Sequence, residues 1–256
     1  MLDINRSTLF YKQKSNNEDL RQKLRDLSKN KSRYGYRRLY ILLRREGYKV
    51  NHKRVHRLYK EEGLSLRSKA GKKRAALRRK EQLTVNRQNE VWSMDFISDR
   101  LNNGRQFRAL TIVDRYSREC PHIEVDNCLT GQRVAGVLNR LKNAGRKPEI
   151  ITVDNGPEFI SKALDQWAYE NGVRLAHINP GKPTENGHIE SFNGKLREEC
   201  LSLNYFTNLK EARTIIENWR KEYNEQRPHS GLKGLTPMEF LQKSGAAQKS
   251  LLNDVK

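Results

Sequence analysis

The chain has 256 residues, 51 Lys and Arg against 30 Asp and Glu, and a formal net charge of +21. It has no apolar run approaching the ~18 residues of a membrane span, no hydrophobic secretion segment at its start, and three cysteines, Cys120, Cys128 and Cys200, without CxxC or zinc-finger spacing. Membrane proteins and secreted disulfide scaffolds are thereby excluded, and a reduced, cytoplasmic protein of two domains is expected.

The charge is uneven: residues 1–90 hold 27 Lys and Arg against 9 acids, and the remainder holds 24 against 21. Clustered cations attract phosphate and release its condensed counterions, so nucleic acid is the leading partner, ahead of a merely solvated surface or a membrane-surface patch.

Leu20, Leu24 and Leu27 form one apolar stripe and predict a packing helix over 18–28. A second helix is predicted from Tyr36 to Glu46, with Leu39, Leu42 and Leu43 inward, Arg37, Arg38, Arg44 and Arg45 outward, and Gly47 ending it. Asn51 is a good N-cap for a third helix, with Val55, Leu58 and Tyr59 on one side, closed by Gly63. Its other side carries His52, Lys53, Arg54, His56, Arg57 and Lys60, and the two histidines read as surface polar residues. Two short helices with a brief link, the second cationic, suit a helix-turn-helix that reads DNA, with Lys53, Arg54, Arg57 and Lys60 as DNA contacts. The alternative is a helical bundle whose basic face touches backbone phosphate alone. From Arg67 to Arg87 there are nine Lys and Arg and one acid, Glu81, so a linker that tracks DNA through Lys72, Lys73, Arg74, Arg78 and Arg79 is expected.

The texture changes near Asn89. Strands are predicted at Val91–Ile97, Phe107–Val113 and Cys120–Val125, then a helix at Gly131–Asn143 and a strand at Ile150–Val153 ending in Asp154-Asn155-Gly156-Pro157. An amphipathic stretch Glu158–Tyr169, a strand Val173–Ile178 and a helix His188–Leu203 with Ile189, Phe192, Leu196 and Cys200 buried follow. Ala212, Ile215, Ile216, Trp219 and Tyr223 mark a last long core-facing helix, and the turn Arg227-Pro228-His229 is a weaker candidate for DNA contact. The order suggests an α/β fold, a mixed sheet flanked by helices behind an all-α segment.

Asp95 lies within the first strand, Asp154 at the end of a later one and Glu190 in the first turn of a helix, so their carboxylates can converge. Hard oxygen ligands of this kind suit two Mg²⁺ or Mn²⁺ ions and phosphodiester chemistry. Asn193 and Arg197 share a helix face with Glu190 and could meet DNA there, Arg197 as a phosphate clamp. Among 30 acids some such triple is expected by chance, and solvated strand-end carboxylates are the competing reading. Asp99, Asp114 and Glu158 read as non-ligands, Asp114 as a strand-end turn residue and Glu158 as an acid in the first turn of a helix.

Context decides between these. Trp92-Ser93-Met94-Asp95, Val153-Asp154-Asn155-Gly156-Pro157-Glu158-Phe159 and Glu185-Asn186-Gly187-His188-Ile189-Glu190-Ser191-Phe192-Asn193 resemble the core of retroviral-integrase-like DDE transposases, with 35 residues between Asp154 and Glu190. Ser7-Thr8-Leu9-Phe10-Tyr11, Tyr34-Gly35-Tyr36-Arg37-Arg38-Leu39, and Trp219 followed by Tyr223-Asn224-Glu225-Gln226-Arg227-Pro228-His229 extend the resemblance to the second-frame (OrfB) product of the IS-three family of insertion sequences.

The resemblance implies an RNase H-like core with Asp95, Asp154 and Glu190 as the metal-binding triad and Arg197 as its basic neighbour. It implies cleavage and strand transfer on double-stranded DNA at element ends and target, without a covalent protein–DNA intermediate. It further implies a homo-oligomer on DNA, association with the bacterial nucleoid, and an upstream-frame (OrfA) partner that carries its own helix-turn-helix. The chain departs from the family pattern at Phe96-Ile97, where a Thr two residues after the first Asp is common. The expected layout is a helix-turn-helix domain over 1–66, a basic linker over 67–88, the catalytic core over 89–230 and a C-terminal tail over 231–256. The rival readings are a non-catalytic DNA-binding regulator and a nuclease acting on RNA in hybrids.

Overall fold

The computed structural model describes residues 17–66, 85–178 and 186–253, and the chain divides between Lys73 and Arg74 into two compact units. The predicted linker contacts Lys72, Lys73, Arg74, Arg78 and Arg79 lie outside the described residues.

The first unit has three helices, α1 (Asn17–Asn30), α2 (Tyr36–Arg45) and α3 (His52–Glu61). Leu20 and Leu24 from α1, Leu39 and Leu43 from α2, and Val55, Leu58 and Tyr59 from α3 close a small core with Tyr34. Leu42, expected inside, is partly buried at the flank of that core. Asn51 caps α3 by accepting the Lys53 N–H at 2.9 Å, and Gly47 and Gly63, at φ +91° and +65°, take the left-handed backbone that ends α2 and α3.

The second unit is built on a sheet of β1 (Val91–Arg100), β2 (Gln106–Asp114), β3 (Ile123–Asp126), β4 (Ile150–Val153) and β5 (Arg174–His177), in the order β3-β2-β1-β4-β5. β1, β2 and β3 form an antiparallel meander, and β4 and β5 add in parallel on the other side of β1. Alternation along each strand feeds two cores. Trp92, Met94, Leu110 and Ile112 pack with α4 (Gly131–Asn143) and α5 (Lys162–Asn171), while Ile97, Ala109 and Val113 pack with α6 (Gly187–Glu199) and α7 (Leu209–Glu225). Asp95 shares strand parity with Ile97, which directs it to the α6 side.

Several predicted elements are corrected. Cys120–His122 is not strand: Asn224 and Arg220 on α7 hydrogen-bond the Cys120 backbone, which removes it from the ladder. The helix expected from Glu158 begins at Lys162, where Ser161 is the cap, so Glu158 is a turn residue and not a first-turn helix acid. α6 stops at Glu199, and Leu201–Leu203 forms a separate 3-10 turn. Arg227 and His229 are 2% and 5% exposed, so the turn they flank is interior and not a DNA-contacting surface. The stretch expected as a tail holds α8 (Pro237–Asn253), started by a reciprocal pair in which Thr236 N–H donates to Glu239 and Glu239 N–H to Thr236 Oγ1. Phe240 of α8 packs on Tyr116 with ring centroids 5.2 Å apart.

Candidate active site

Three elements carry the three acids. Asp95 sits in mid-β1, Asp154 directly follows β4, the parallel neighbour of β1, and Glu190 stands exposed in the first turn of α6. Asp95 Oδ1 accepts the Phe96 N–H at 2.8 Å and Oδ2 accepts from Asn193 Nδ2 at 2.9 Å. The Thr111 hydroxyl lies 2.9 Å from Asn193 Oδ1 and 3.0 Å from the Asp95 carbonyl, and Thr111 is the β2 register partner of Asp95. Asn193, expected to face DNA, is therefore turned inward and holds Asp95.

Burial holds the Asp95 carboxyl above the ordinary carboxylate range; the Phe96 N–H and Asn193 pull it back, and the charges of Asp154 and Glu190 push it further up. The three acids thus act in one field, although among the described residues no three Asp, Glu, His or Cys side chains are grouped tightly enough to hold one ion. The two findings are compatible, because Coulomb coupling reaches farther than a coordination bond. A raised folded-state pKa means that the folded chain binds this proton more tightly than the unfolded chain, so stability rises as pH falls through the folded-state value. Asp95→Asn should therefore raise Tm by about 3 °C at neutral pH in EDTA, with the gain fading as Asp95 itself protonates. A calorimetric scan with an unchanged or lower Tm would show that Asp95 carries no such strain.

Asp154 Oδ1 accepts the Gly156 N–H at 3.0 Å, and a Cβ at Gly156 would stand 3.0 Å from that oxygen and 3.4 Å from Glu158 Oε2. Glycine lets the turn close around both carboxylates. Glu158 pairs with Arg108, which holds it below the usual carboxylate range, and the Arg108 guanidinium lies 4.3 Å from the centroid of Phe96, itself stacked on Phe159. The acid nearest Asp154 in the turn is thus already neutralised. Asp114 is fully buried and accepts the N–H groups of Asn89, Tyr116 and Ser117, which makes it the turn residue expected.

Arg197 is exposed at the far end of α6, where it donates to the Ser98 carbonyl at 2.9 Å. At the near end Arg118 donates to His188 Nδ1; a guanidinium has no acceptor, so the imidazole must accept. Neither this contact nor Thr111 or Arg108 was visible in the sequence, since each brings together residues far apart in the chain. In the first unit Lys53, Arg57 and Lys60 are exposed and Arg54 is half-buried, with Arg57 lying 3.6 Å from Glu61.

Residues 85–183 and 171–237 match the integrase core domain family, and residues 15–74 match an HTH-like domain family. An insertion element IS407 protein of 31.7 kDa from Burkholderia multivorans is 46% identical over 96% of this chain and 90% of its own length. The chain belongs to the IS-three family of insertion-sequence transposases. The putative transposase InsK of IS150 from Escherichia coli is 27% identical to this transposase over 93% of the chain and 90% of its own length. A chain of a simian T-cell lymphotropic virus intasome solved in complex with PP2A regulatory subunit B56 gamma shares its fold, with a TM-score of 0.53 and 16% identity over 86% of the transposase and 74% of that chain. The transposase is an RNase H-like α/β enzyme of the polynucleotidyl transferase class behind an HTH-like segment. No described helix is long and apolar enough to cross a membrane.

Proposed function

We propose that this transposase cleaves DNA at the ends of an insertion element and joins the freed 3′ ends to target DNA, with Asp95, Asp154 and Glu190 as the ligands of two divalent ions, Mg²⁺ or Mn²⁺. The observation that carries this is at Asp95: Asn193, on the helix that carries Glu190, hydrogen-bonds this half-buried carboxylate, and the charges of Asp154 and Glu190 both act on it. Such a donor set fits hard cations, which relieve the repulsion. When bound, the ions supply charge neutralisation for the phosphate and orient the oxygens that exchange at phosphorus.

The protein's own part is positioning. Asn193 and the Phe96 N–H fix both oxygens of Asp95, and the Asp154 carboxylate is fixed by the Gly156 N–H. Arg197, exposed seven residues beyond Glu190, suits a phosphate of the bound strand. In cleavage, water adds across a phosphodiester and leaves a 3′-OH; in transfer, that oxygen forms a new P–O bond as the target's P–O bond breaks, and the departing oxygen takes the proton.

The layout proposed with this activity is DNA binding by residues 1–66, a basic linker over 67–88, catalysis by 89–230 and a supporting C-terminal segment over 231–256. A homo-oligomer on DNA is included because two element ends must meet in one assembly, as is an upstream-frame partner.

Labelled duplexes carrying element ends, incubated with the chain and Mg²⁺, Mn²⁺ or EDTA, test the reading. Nicking and joining that require the ion support it, whereas binding with no chemistry in any ion would point to a regulator or to a catalytic subunit that needs its upstream-frame partner. Asn193→Ala should lower the rate by about 10- to 100-fold and shift the acid limb of the pH–rate profile upward, because Asp95 loses a donor that favours its charged form. A rate loss without that shift would mean that Asn193 acts on DNA and not through Asp95.

A further inference from the structure

The ion pairs of the first unit are segregated. Arg21, Lys23 and Arg25 on α1 each meet an acid: Arg21 meets Glu61 and Glu62, Lys23 meets Glu46, and Arg25 meets Glu18 and Glu62. At the junction of α2 and α3 the charges are unmatched. Among the described residues Arg44, Lys49 and Lys53 have no carboxylate within ion-pair distance, and Arg44 does no more than approach the Tyr48 carbonyl at 3.5 Å.

The same junction holds an open cleft of about 460 Å³ lined by Tyr40, Arg44, Lys49, Val50, Asn51 and His52. The rings of Tyr40 and His52 meet edge-on there, with centroids 6.1 Å apart. No acid lines the cleft, and Arg44, Lys49 and His52 are exposed. Asn51 already caps the Lys53 N–H, so the cations and not the helix end supply the attraction. By contrast, Arg57 along α3 is partly matched by Glu61.

We infer that this cleft seats a backbone phosphate of duplex DNA, with Arg44 and Lys49 as the direct contacts and the Tyr40 and His52 rings against the adjoining sugar. It anchors the first unit, while the outer length of α3, with Arg57 and Lys60, contributes less. The assignment rests on the DNA-transposing function above and says where on the first unit the duplex is held. A phosphate fits because it is the repeating anion that unpaired Arg and Lys neutralise, and because a concave cationic wall with aromatic edges accepts both phosphate and sugar.

The test is fluorescence anisotropy of the full chain on a labelled duplex of arbitrary sequence, in EDTA, across a salt series. R44Q/K49Q should weaken binding on the order of tenfold and flatten the slope of log K against log salt by about 0.9, the value for one phosphate contact. R44K/K49R should keep the wild-type slope, which separates charge from folding, and R57Q/K60Q should flatten it by less. The cleft assignment is overturned if R44Q/K49Q binds like wild type, if R44K/K49R loses as much as R44Q/K49Q, or if R57Q/K60Q has the larger effect. If the wild-type chain does not bind duplex, the DNA reading itself fails and the cleft falls with it.

Discussion

Glu190→Gln and Asp154→Asn should each abolish strand cleavage and joining, by more than ~10³-fold, while affinity for duplex DNA stays equal or rises. The substitutions keep volume and remove one negative charge, so the helix that carries Glu190 and the turn that carries Asp154 are retained. Glu190 is exposed, and none of the core contacts of Ile189, Phe192 or Leu196 involves it. Removing a carboxylate beside DNA also removes a repulsion from phosphate, which is why binding should not suffer. Gel assays for nicking and joining alongside anisotropy for binding separate the two quantities. Parallel loss of binding and chemistry would remove these acids from the metal-binding role and make them structural.

The second large effect concerns stability. Arg227 and Glu199 have side chains 2% and 8% exposed and form a two-pronged pair, Nε to Oε2 at 2.7 Å and Nη2 to Oε1 at 2.6 Å. The Arg227 guanidinium also lies 5.7 Å from the centroid of Tyr223. Arg227→Ala removes a two-pronged ion pair from a buried carboxylate at the end of α6 and should cost about 3–5 kcal/mol in urea denaturation. Duplex affinity of the folded fraction should be unchanged, because the side chain has no surface to offer. A variant as stable as wild type that binds DNA more weakly would restore Arg227 as a DNA contact.

Arg227 also shows where reading the sequence stops. In sequence it is one more cation in a turn beside a proline, and nothing local distinguishes a solvated arginine from one locked to a glutamate 28 residues earlier. Features with a local cause were legible. The leucine stripes of α1 and α2, the Asn51 cap, the glycine stops, the bounds of α4 and β4, and Asp154 at the end of an apolar run follow from side-chain periodicity and backbone preferences within a few residues. The resemblance then joined Asp95, Asp154 and Glu190 before any geometry was available.

What required the tertiary structure is set by register and by helix rotation. Thr111 opposes Asp95 because β2 pairs with β1 at that offset, and a slip of one residue would send it to the other core. Asn193 reaches Asp95 across 98 residues because α6 lies on that face of the sheet, which turned an expected DNA contact into a support for a carboxylate. Cys120 left the strand because α7 supplied its backbone partners, and Glu158 was neutralised because Arg108 from β2 lay above the turn. The sequence by itself therefore determined those helices and strands whose causes are local, and short motifs nominated the acids. The tertiary structure alone decided which polar groups hold those acids and which cations remain unpaired, because such pairings depend on segments far apart in the chain.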